Sequence, residues 1–344
     1  MIRSVVVVGS PEGTHLAGSL VRAASGMLPA RLCDVGIASS SFEPLNKLWW
    51  RIDRQSPHTQ KLEAAVLDAV ADLICPLVVT TGLSPVRAAA LRACRGRGAK
   101  LAHFSSDDPW NPRFAARWHF AALRQYDVVF TPRRSNLSDF LRLGVRDVRW
   151  LPFGYDGEFL GDRSDRAVQD ASDILFVGGA DRDRAEFLDR FCAAGLSVTV
   201  VGGYWGRYRN VHRRDLGQCS PVVVAALTRA SKVSIIMVRR ANRDGHTMRS
   251  FEAGAIGGCL LVEDTAEHRE IFGADDEAVR YFTSPEEAAG IARTLLADEA
   301  SRTRLATAVR RRITGGRHTY TDRLREMLKS VEDLPARPLE PSHA

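Results

Sequence analysis

Two carboxylates, Asp244 and Glu252, stand eight residues apart in the stretch 242–264, NRDGHTMRSFEAGAIGGCLLVED, with Arg249 between them. A charged, glycine-containing loop there enters a short apolar segment and passes through Gly257 and Gly258 into the strand-like CLLVED. A helix starting at Thr247 or Met248 would be capped by Thr247, and its open backbone N–H groups would form an anion site. Arg249 adds a fixed positive charge suited to phosphate oxygens. Glu252 lies one turn in, and Asp244 lies in the loop before the helix. An anion site flanked by two carboxylates suits a ligand with phosphates in one place and hydroxyls on both sides, such as a nucleotide-sugar diphosphate. Taken alone, the segment reads equally well as a capped helix on a sheet carrying a surface Arg249–Glu252 pair.

The elements that would position these residues alternate along the chain. SVVVVGS, ARLCDVG, LVVTTG, KLAHFSS and DVVFTP read as strands. Between them, HLAGSLVRAASGM, HTQKLEAAVLDAVADL and SPVRAAALRACRGRG read as helices, the last with Ser84 as its cap and Pro85 at its first position. After a polar, turn-rich pause the alternation restarts at ILFVGGA and runs through CLLVED, and from PEEAAGIARTLLAD onward the chain is helical. Strand–helix alternation of this kind implies doubly wound parallel sheets. The expected organisation is an N-terminal domain over 1–153, a hinge over 154–172, a second domain over 173–309, a C-terminal helix over 310–333 and a disordered tail over 334–344. Ligands of such folds bind at the carboxyl ends of the strands, and here also in the cleft between the domains.

Length and composition agree with two ordinary globular domains: 344 residues, 45% apolar and 26% charged. No apolar run approaches the roughly 18–20 residues of a membrane span, and the N-terminus reads as a buried strand rather than a secretory leader. Six cysteines without C-x-x-C spacing point to small buried residues in a reducing cytoplasm, with no zinc site. Residues 1–150 hold 20 basic against 12 acidic side chains, a balance of +8, while the remainder holds 28 against 29. A basic first half favours an acidic or membrane-associated partner. The run RRRITGGRH reads as a solvated helix end, and no motif suggests nucleic-acid binding.

The stretch GHTMRSFEAGAIGGCLLVED resembles the H-x-M-R-[TS]-F-E-x-x-A-x-G-x-x-L-L signature of CgeB-like glycosyltransferases, which are related to glycosyltransferase family 4. The Asp244–Glu252 separation is similar to that family's E-x7-E motif, with Asp in place of the first Glu. LPFGYDGEF resembles its P-x-G-x-D-x-x-F hinge, FVGGADRDRAEFL the opening of its C-terminal domain, SSDDPW an Asp-Pro element, and GGRHTYTDRL its H-T-Y-x-x-R helix. The resemblance spans about residues 100–330 and is firmest over 240–264. It implies an α/β chain of GT-B fold, with two doubly wound Rossmann-like domains facing across a cleft and the donor held by the second. By the same resemblance Glu252 would bond the nucleotide ribose. Thr247, Met248 and Arg249 would meet the diphosphate, and Asp244 would hold donor-sugar hydroxyls. His246 and Ser250 fall within the donor signature. Gly178 and Gly179 would admit the phosphates, with Arg182 or Arg184 nearby.

Weaker candidates lie in the first half. GSPEGTHLAG after the first strand has the form of a phosphate loop without G-x-G-x-x-G or G-K-[ST]. In a GT-B protein Gly9, Glu12, Gly13 and His15 would face donor or acceptor, although His15 reads first as a helix-start residue and only second as a catalyst. Asp107 and Asp108 precede Pro109, and one of them should reach the cleft as an acceptor contact or base, with turn structure as the alternative. Trp110 follows on the acceptor side, and His103 reads as a core histidine. Trp49, Trp50 and Arg51 form an aromatic–basic cluster suited to a sugar ring or to anchoring a loop.

The expected activity is transfer of a hexose-type sugar from a nucleotide-diphosphate sugar, with Asp244, Arg249 and Asp108 nearest the chemistry and no metal or other cofactor required. Retention follows if the family 4 likeness extends to mechanism, whereas inversion would make Asp107, Asp108 or His15 the base. The alternatives are a catalytically silent protein of the same fold that binds a sugar nucleotide or glycan, or an epimerase or phosphorylase. A phosphorylase is disfavoured because Lys232 and Lys329, the lysines of the second half, sit in no glycine-rich motif.

Overall fold

The protein is described here by a computed structural model. The structure describes residues 1–11, 16–160, 173–210 and 212–335. The expected hinge beyond Leu160, the candidates Glu12, Gly13 and His15, and the tail from residue 336 lie outside the described residues.

The chain divides into two compact units. The first comprises Met1–Thr131, Asn136–Leu151 and the chain from Thr321 onward; the second comprises Pro132–Ser135 and Pro152–Tyr320. In the first unit the strands are β1 (Ser4–Gly9), β2 (Ala30–Asp34), β3 (Pro76–Thr81), β4 (Lys100–Phe104), β5 (Val128–Thr131) and β6 (Val148–Trp150). They form one parallel sheet in the order β2-β1-β3-β4-β5-β6. Its helices are α1 (Leu16–Ser25), α2 (Glu43–Asp53), α3 (Thr59–Ala71), α4 (Ala88–Gly96), α5 (Arg117–Leu123) and α6 (Leu137–Leu143). Val5–Val8 are fully buried, as a continuous valine run must be when helices cover both faces of a parallel sheet.

The second unit repeats the plan. Its strands β7 (Ile174–Val177), β8 (Val198–Val201), β9 (Arg213–Asp215), β10 (Val233–Ile236), β11 (Leu260–Glu263) and β12 (Arg280–Phe282) pair in parallel in the order β12-β11-β10-β7-β8-β9. They carry α7 (Arg182–Ala193), α8 (Pro221–Ala230), α9 (Met248–Ile256), α10 (Ala266–Phe272), α11 (Pro285–Ala297) and α12 (Glu299–Gly315). Leu188, Phe191, Val198 and Leu261 are among the core residues beneath α7 and α11. The helical end of the chain is broken, because α13 (Tyr320–Glu332) is separate from α12 and from Thr321 onward is counted with the first unit. There the Glu332 carboxylate accepts the Ile2 N–H at 2.8 Å.

Each sheet has the order of a doubly wound, Rossmann-like unit, as the strand–helix alternation of the sequence implies. In each sheet the first strand has its successors leaving in opposite directions. The order therefore reverses between β1 and β3 in one sheet and between β7 and β10 in the other. At such a reversal the two following loops diverge and leave a crevice at the carboxyl ends of the strands.

Local readings change in two places. The helix expected from Ser84 begins at Ala88, with Arg87 as its cap. The Ser84 hydroxyl is taken instead by the Val8 and Thr81 carbonyls, at 3.1 and 2.6 Å, and the Arg87 N–H goes to the Glu63 carboxylate at 2.9 Å. Helix α2, which contains Trp49 and Trp50, was not expected, and neither were β6, β9 and β12. Those strands are three residues long and carry arginines at the sheet edges, where no apolar run marks them.

Four histidines are buried among the described residues, His103, His119, His246 and His268. His103 lies in β4 with its Nδ1 2.8 Å from Thr80 Oγ1. His119 stacks edge-on with His103 and Trp118, and neither of its ring nitrogens finds a partner among the described residues. Burial lowers His119 to about 4, and it lowers His268, in the second unit, to about 4. Each is neutral in the fold, while the unfolded chain takes up protons below the ordinary value of 6.5. Their contribution is therefore complete above 6.5 and is lost as pH falls toward 4. The melting temperature measured against pH is expected to decline across that window. His119→Phe is expected to flatten the decline by about 3 kcal/mol between its ends.

Candidate functional site

The crevice of the second sheet is built from the loops after β7 and β10. After β10 the chain passes through Met237 and Val238, both buried, into a 3-10 turn at Arg240–Asn242, and Arg243 takes a left-handed conformation at φ 53°. Glu263, at the end of β11, clamps this loop: its carboxylate accepts the Val238 N–H at 3.0 Å and the Arg240 guanidinium at 3.1 Å. Gly245 follows, and a larger residue there would displace the Glu267 side chain, since a Cβ would lie 2.4 Å from its carboxyl carbon.

Helix α9 starts as the residue types require. Thr247 is its N-cap in an extended conformation, and the Thr247 N–H donates to Ser250 Oγ at 3.1 Å. Ser250 Oγ lies 2.9 Å from His268 Nε2, and His268 Nδ1–H donates to the Glu263 carbonyl at 2.8 Å. Ser250, read as a donor contact, is thus a buried capping group. His246 is corrected in the same way. Its Nδ1 meets the Glu267 carboxylate at 2.5 Å, its Nε2 accepts the Phe153 N–H at 3.2 Å, and Phe153 and Phe251 pack edge-on against its ring. Both ring nitrogens are used, so His246 fixes the segment before α9. Burial pushes the Glu267 carboxyl up, but the hydrogen bond to His246, with the Arg134 N–H and charge, outweighs it and holds the group below its ordinary value.

With these supports, the first N–H groups of α9, at Met248 and Arg249, lack helical acceptors, as in any helix start. Glu252 lies one turn in and is 1% exposed. One of its oxygens pairs with Arg249; the other, Oε1, finds no hydrogen-bond partner among the described residues. Burial raises its pKa, Arg249 opposes the rise, and the nearby Asp156 adds to it. A small cavity beside it, lined by Val177, Thr228, Ser234 and Ile236 among others, has room for about one water. A buried carboxylate oxygen without a donor is costly, and such a cost marks a place where a ligand hydroxyl would be favoured.

Asp244 stands differently. Its carboxylate is paired with Arg133, whose side chain is 2% exposed. Arg133 lies 111 residues earlier in the chain, and no sequence signal connects the two.

On the other side of the reversal, Gly178 and Gly179 end β7. Gly202, at φ 143°, lets β8 approach so closely that a Cβ there would stand 2.4 Å from the Gly178 carbonyl. Arg184, read as a phosphate contact, is instead a buried strut between strand ends. It donates to the Gly179 and Met237 carbonyls, both at 3.1 Å. Burial, and then the charge of Arg239, lower it to about 10. Arg182 is exposed and pairs along its helix with Glu186 at 2.7 Å. The cation at the crevice that sequence reading missed is Arg239. Its side chain is 34% exposed, lies 3.6 Å from Asp181, and stands 3.5 Å from where a Gly179 Cβ would be. Its position, just past an apolar strand run, was the available signal.

The first sheet has its own concave site at the β1–β3 reversal, of about 250 Å³, lined by Gly9, Ser10, Thr81, Ser84, Ser106 and Asp107 among others. Asp107 therefore faces it and Asp108 does not. Asp108, read as a candidate base, is 1% exposed, and its Oδ1 accepts the Trp110 N–H and the Asn136 amide, both at 3.0 Å. Adjacent residues of an extended segment point apart, and Asp108 took the inward place. Trp110 packs against Phe120 and Phe140 rather than lining this site. Among the described residues no group of three or more His, Cys, Asp or Glu could hold a metal ion.

The Glycosyl transferase-like family matches residues 182–329 of the chain. Solved structures are similar over nearly the whole length. Sucrose-phosphate synthase from Thermosynechococcus elongatus is 13% identical with a TM-score of 0.70, covering 96% of this chain and 98% of its own. HepE from Anabaena, in complex with UDP and glucose, is 12% identical with a TM-score of 0.68, covering 97% and 100%. A UDP-forming alpha,alpha-trehalose-phosphate synthase from Burkholderia xenovorans is 13% identical with a TM-score of 0.67, covering 98% and 100%. No curated protein matches the chain in sequence.

The Arg133–Asp244 pair has a testable energetic signature. Arg133→Ala leaves a carboxylate buried without its partner and is expected to cost about 3–5 kcal/mol in urea denaturation. The double variant Arg133→Met, Asp244→Leu is expected to recover most of that loss. A single-variant cost under ~1 kcal/mol would mean that the pair is solvated rather than buried.

Proposed function

We propose that the protein is a nucleotide-sugar-dependent glycosyltransferase of the CgeB-like group, with the donor bound at the β7–β10 reversal and the acceptor at the β1–β3 reversal. The observation that carries this reading is the buried Glu252 oxygen without a donor, set one turn inside the helix start at Thr247. A nucleoside diphosphate answers both features. Its phosphates take the Met248 and Arg249 N–H groups, and a ribose hydroxyl donates to Glu252. Arg249 and Arg239 supply positive charge where the departing diphosphate gathers negative charge, an electrostatic form of catalysis. The Glycosyl transferase-like match covers the residues concerned, and two of the similar structures are a UDP complex and a UDP-forming enzyme, which makes uridine the first base to test.

On this reading Asp244 acts on the donor sugar within the limits of its pairing with Arg133. The hydroxyls of Ser10, Ser84 and Ser106 together with Asp107 receive a polyhydroxylated acceptor. Transfer proceeds with retention, in keeping with the family 4 likeness. The domain limits, 1–153 and 173–309 about a hinge, belong to the same proposal. The paired state of Asp244 favours one second reading, a sugar-nucleotide-binding protein without turnover.

Calorimetry with UDP, GDP, dTDP and CDP tests the donor site. One diphosphate is expected to bind, and Glu252→Ala is expected to weaken it by about 1–3 kcal/mol. Unchanged affinity in that variant would remove Glu252 from the site. Release of nucleoside diphosphate from the matching sugar nucleotide separates the two readings. Arg239→Ala is expected to slow that release by roughly tenfold or more, a loss of about 1.4 kcal/mol in transition-state binding, while leaving the melting temperature within a few degrees of the parent. Tight binding with no release, whatever the acceptor, would favour the silent protein.

A further inference from the structure

The crevice at the β1–β3 reversal presents mostly hydrogen-bond acceptors. Its hollow of about 250 Å³ is lined by Ser10, Thr81, Ser84, Ser106 and Asp107 among others. The Thr81 hydroxyl donates to the Val8 carbonyl at 3.3 Å, and the Ser84 hydroxyl is committed to the Val8 and Thr81 carbonyls, so each offers a ligand lone pairs only. The backbone is committed as well. The Gly82 and Ser106 N–H groups go to the Phe104 carbonyl at 2.9 and 3.0 Å, and the Ser84 N–H goes to the Thr81 carbonyl at 3.2 Å. A second hollow, of about 280 Å³, adjoins the first through Ser10, Val35 and Leu83, which line both, and it adds Asp34, Ser39 and Ser56. There Asp34 accepts the Gly36 N–H at 2.8 Å, and the Gly36 carbonyl accepts the Ser39 N–H at 3.0 Å. Neither hollow has a lysine, arginine or histidine among its described lining residues.

We infer, resting on the transfer reading proposed above, that the acceptor is an uncharged glycan of at least two sugar units rather than a phosphorylated or carboxylated sugar. A phosphate or carboxylate brings acceptors and negative charge. Here it would meet Asp34, Asp107 and oxygen lone pairs, with no cation among the described lining residues to hold it. Sugar hydroxyls bring donors, which carboxylates and committed hydroxyls lack. The remaining serine hydroxyls, those of Ser10, Ser39 and Ser56, can turn to suit either partner of such a bond. Size sets the length. Each hollow alone falls below the roughly 300–1,000 Å³ of small-molecule sites, and the adjoining pair falls within that range. Val35 and Leu83, shared by the two hollows, give the apolar faces of the rings a surface to rest on. The surplus of basic residues over 1–150 therefore does not set the charge of the acceptor, because none of those residues lines either hollow.

Ligand-observed NMR titration without nucleotide tests the inference. The probes are glucose and glucose 6-phosphate, the disaccharides maltose, cellobiose, lactose and trehalose, and trehalose 6-phosphate as the matched anion. At least one neutral disaccharide is expected to bind about tenfold or more tightly than glucose, as for one or two added hydrogen bonds. Each phosphorylated sugar is expected to bind more weakly than its neutral counterpart. Asp107→Asn is expected to weaken the disaccharide by about tenfold and to narrow the gap between glucose and glucose 6-phosphate. Ser39→Phe fills the second hollow from an exposed position, and it is expected to abolish the advantage of the disaccharide while leaving glucose binding and the melting temperature unchanged. Tighter binding of either phosphorylated sugar than of its neutral counterpart overturns the inference, and so does the absence of binding by every neutral disaccharide. An unchanged disaccharide advantage in Ser39→Phe overturns the two-unit length. A protein that gives the expected sugar pattern but takes none of UDP, GDP, dTDP and CDP keeps the inferred glycan site and loses the transfer reading.

Discussion

Charge taken out of water must be matched, and around the start of α9 this single requirement organises the second unit. Moving one ion from water into an interior costs several kcal/mol, which only a partner at hydrogen-bond distance offsets. Asp244 has Arg133, Glu267 has His246, Glu263 has Arg240 and the Val238 N–H, and one oxygen of Glu252 has Arg249. The first three join the short loop between β10 and α9 to different neighbours, and the last lies within the first turns of α9. The loop can therefore be irregular, with a non-glycine residue at positive φ, and still hold the helix start in one place. The Oε1 atom of Glu252 breaks the pattern, and for that reason it carries the functional reading.

The sheet order explains why the matched charges gather there. Because β10 lies beside β7, the loops after these two strands open away from each other. Polar groups at the strand ends are then too deep for free hydration and too open for complete burial by side chains. The chain answers with close backbone approach at Gly178 and Gly202, and with Arg184 as a strut onto two carbonyls. The first sheet meets the same geometry at β1 and β3 with hydroxyls and Asp107 in place of arginines. One reversal is lined by cations and the other by hydroxyls, a difference of chemistry imposed on one topology.

Much of this was legible from residue order alone, for physical reasons. Valine runs announce strands covered on both faces, so β1, β3, β8 and β10 were plain. The three-residue edge strands β6, β9 and β12 were not, since an edge strand needs no apolar run. In the site, the Thr247 cap and the proximity of Arg249 to Glu252 are local, within one helical turn, and could be read directly. The roles of His246, Ser250, Arg184 and Asp108 depend on partners remote in sequence, such as Glu267, His268, Met237 and Asn136. A motif reports that such a residue matters without reporting whether it faces ligand or scaffold. Helix α2 shows the converse limit, because its spacing is that of a core-facing helix while none of its residues is buried.

The state of Arg249 bears on how a diphosphate and a ribose would be recognised together. In the structure Arg249 serves Glu252: burial raises the pKa of that carboxyl, and the guanidinium opposes the rise. A diphosphate at the helix start would compete for the same guanidinium. Drawing Arg249 toward phosphate weakens the opposition and raises the cost of charge on Glu252, unless other donors replace it. Ribose hydroxyls, donating to Oε1 and to the oxygen that Arg249 leaves, are such donors. The two halves of a nucleoside diphosphate would then each remove the cost created by the other. A nucleoside alone would gain the Glu252 contact without the phosphate sites, and pyrophosphate alone would take Arg249 and strand the carboxylate. On the proposed reading, discrimination for the intact nucleotide thus arises from one arginine shared between two acidic partners.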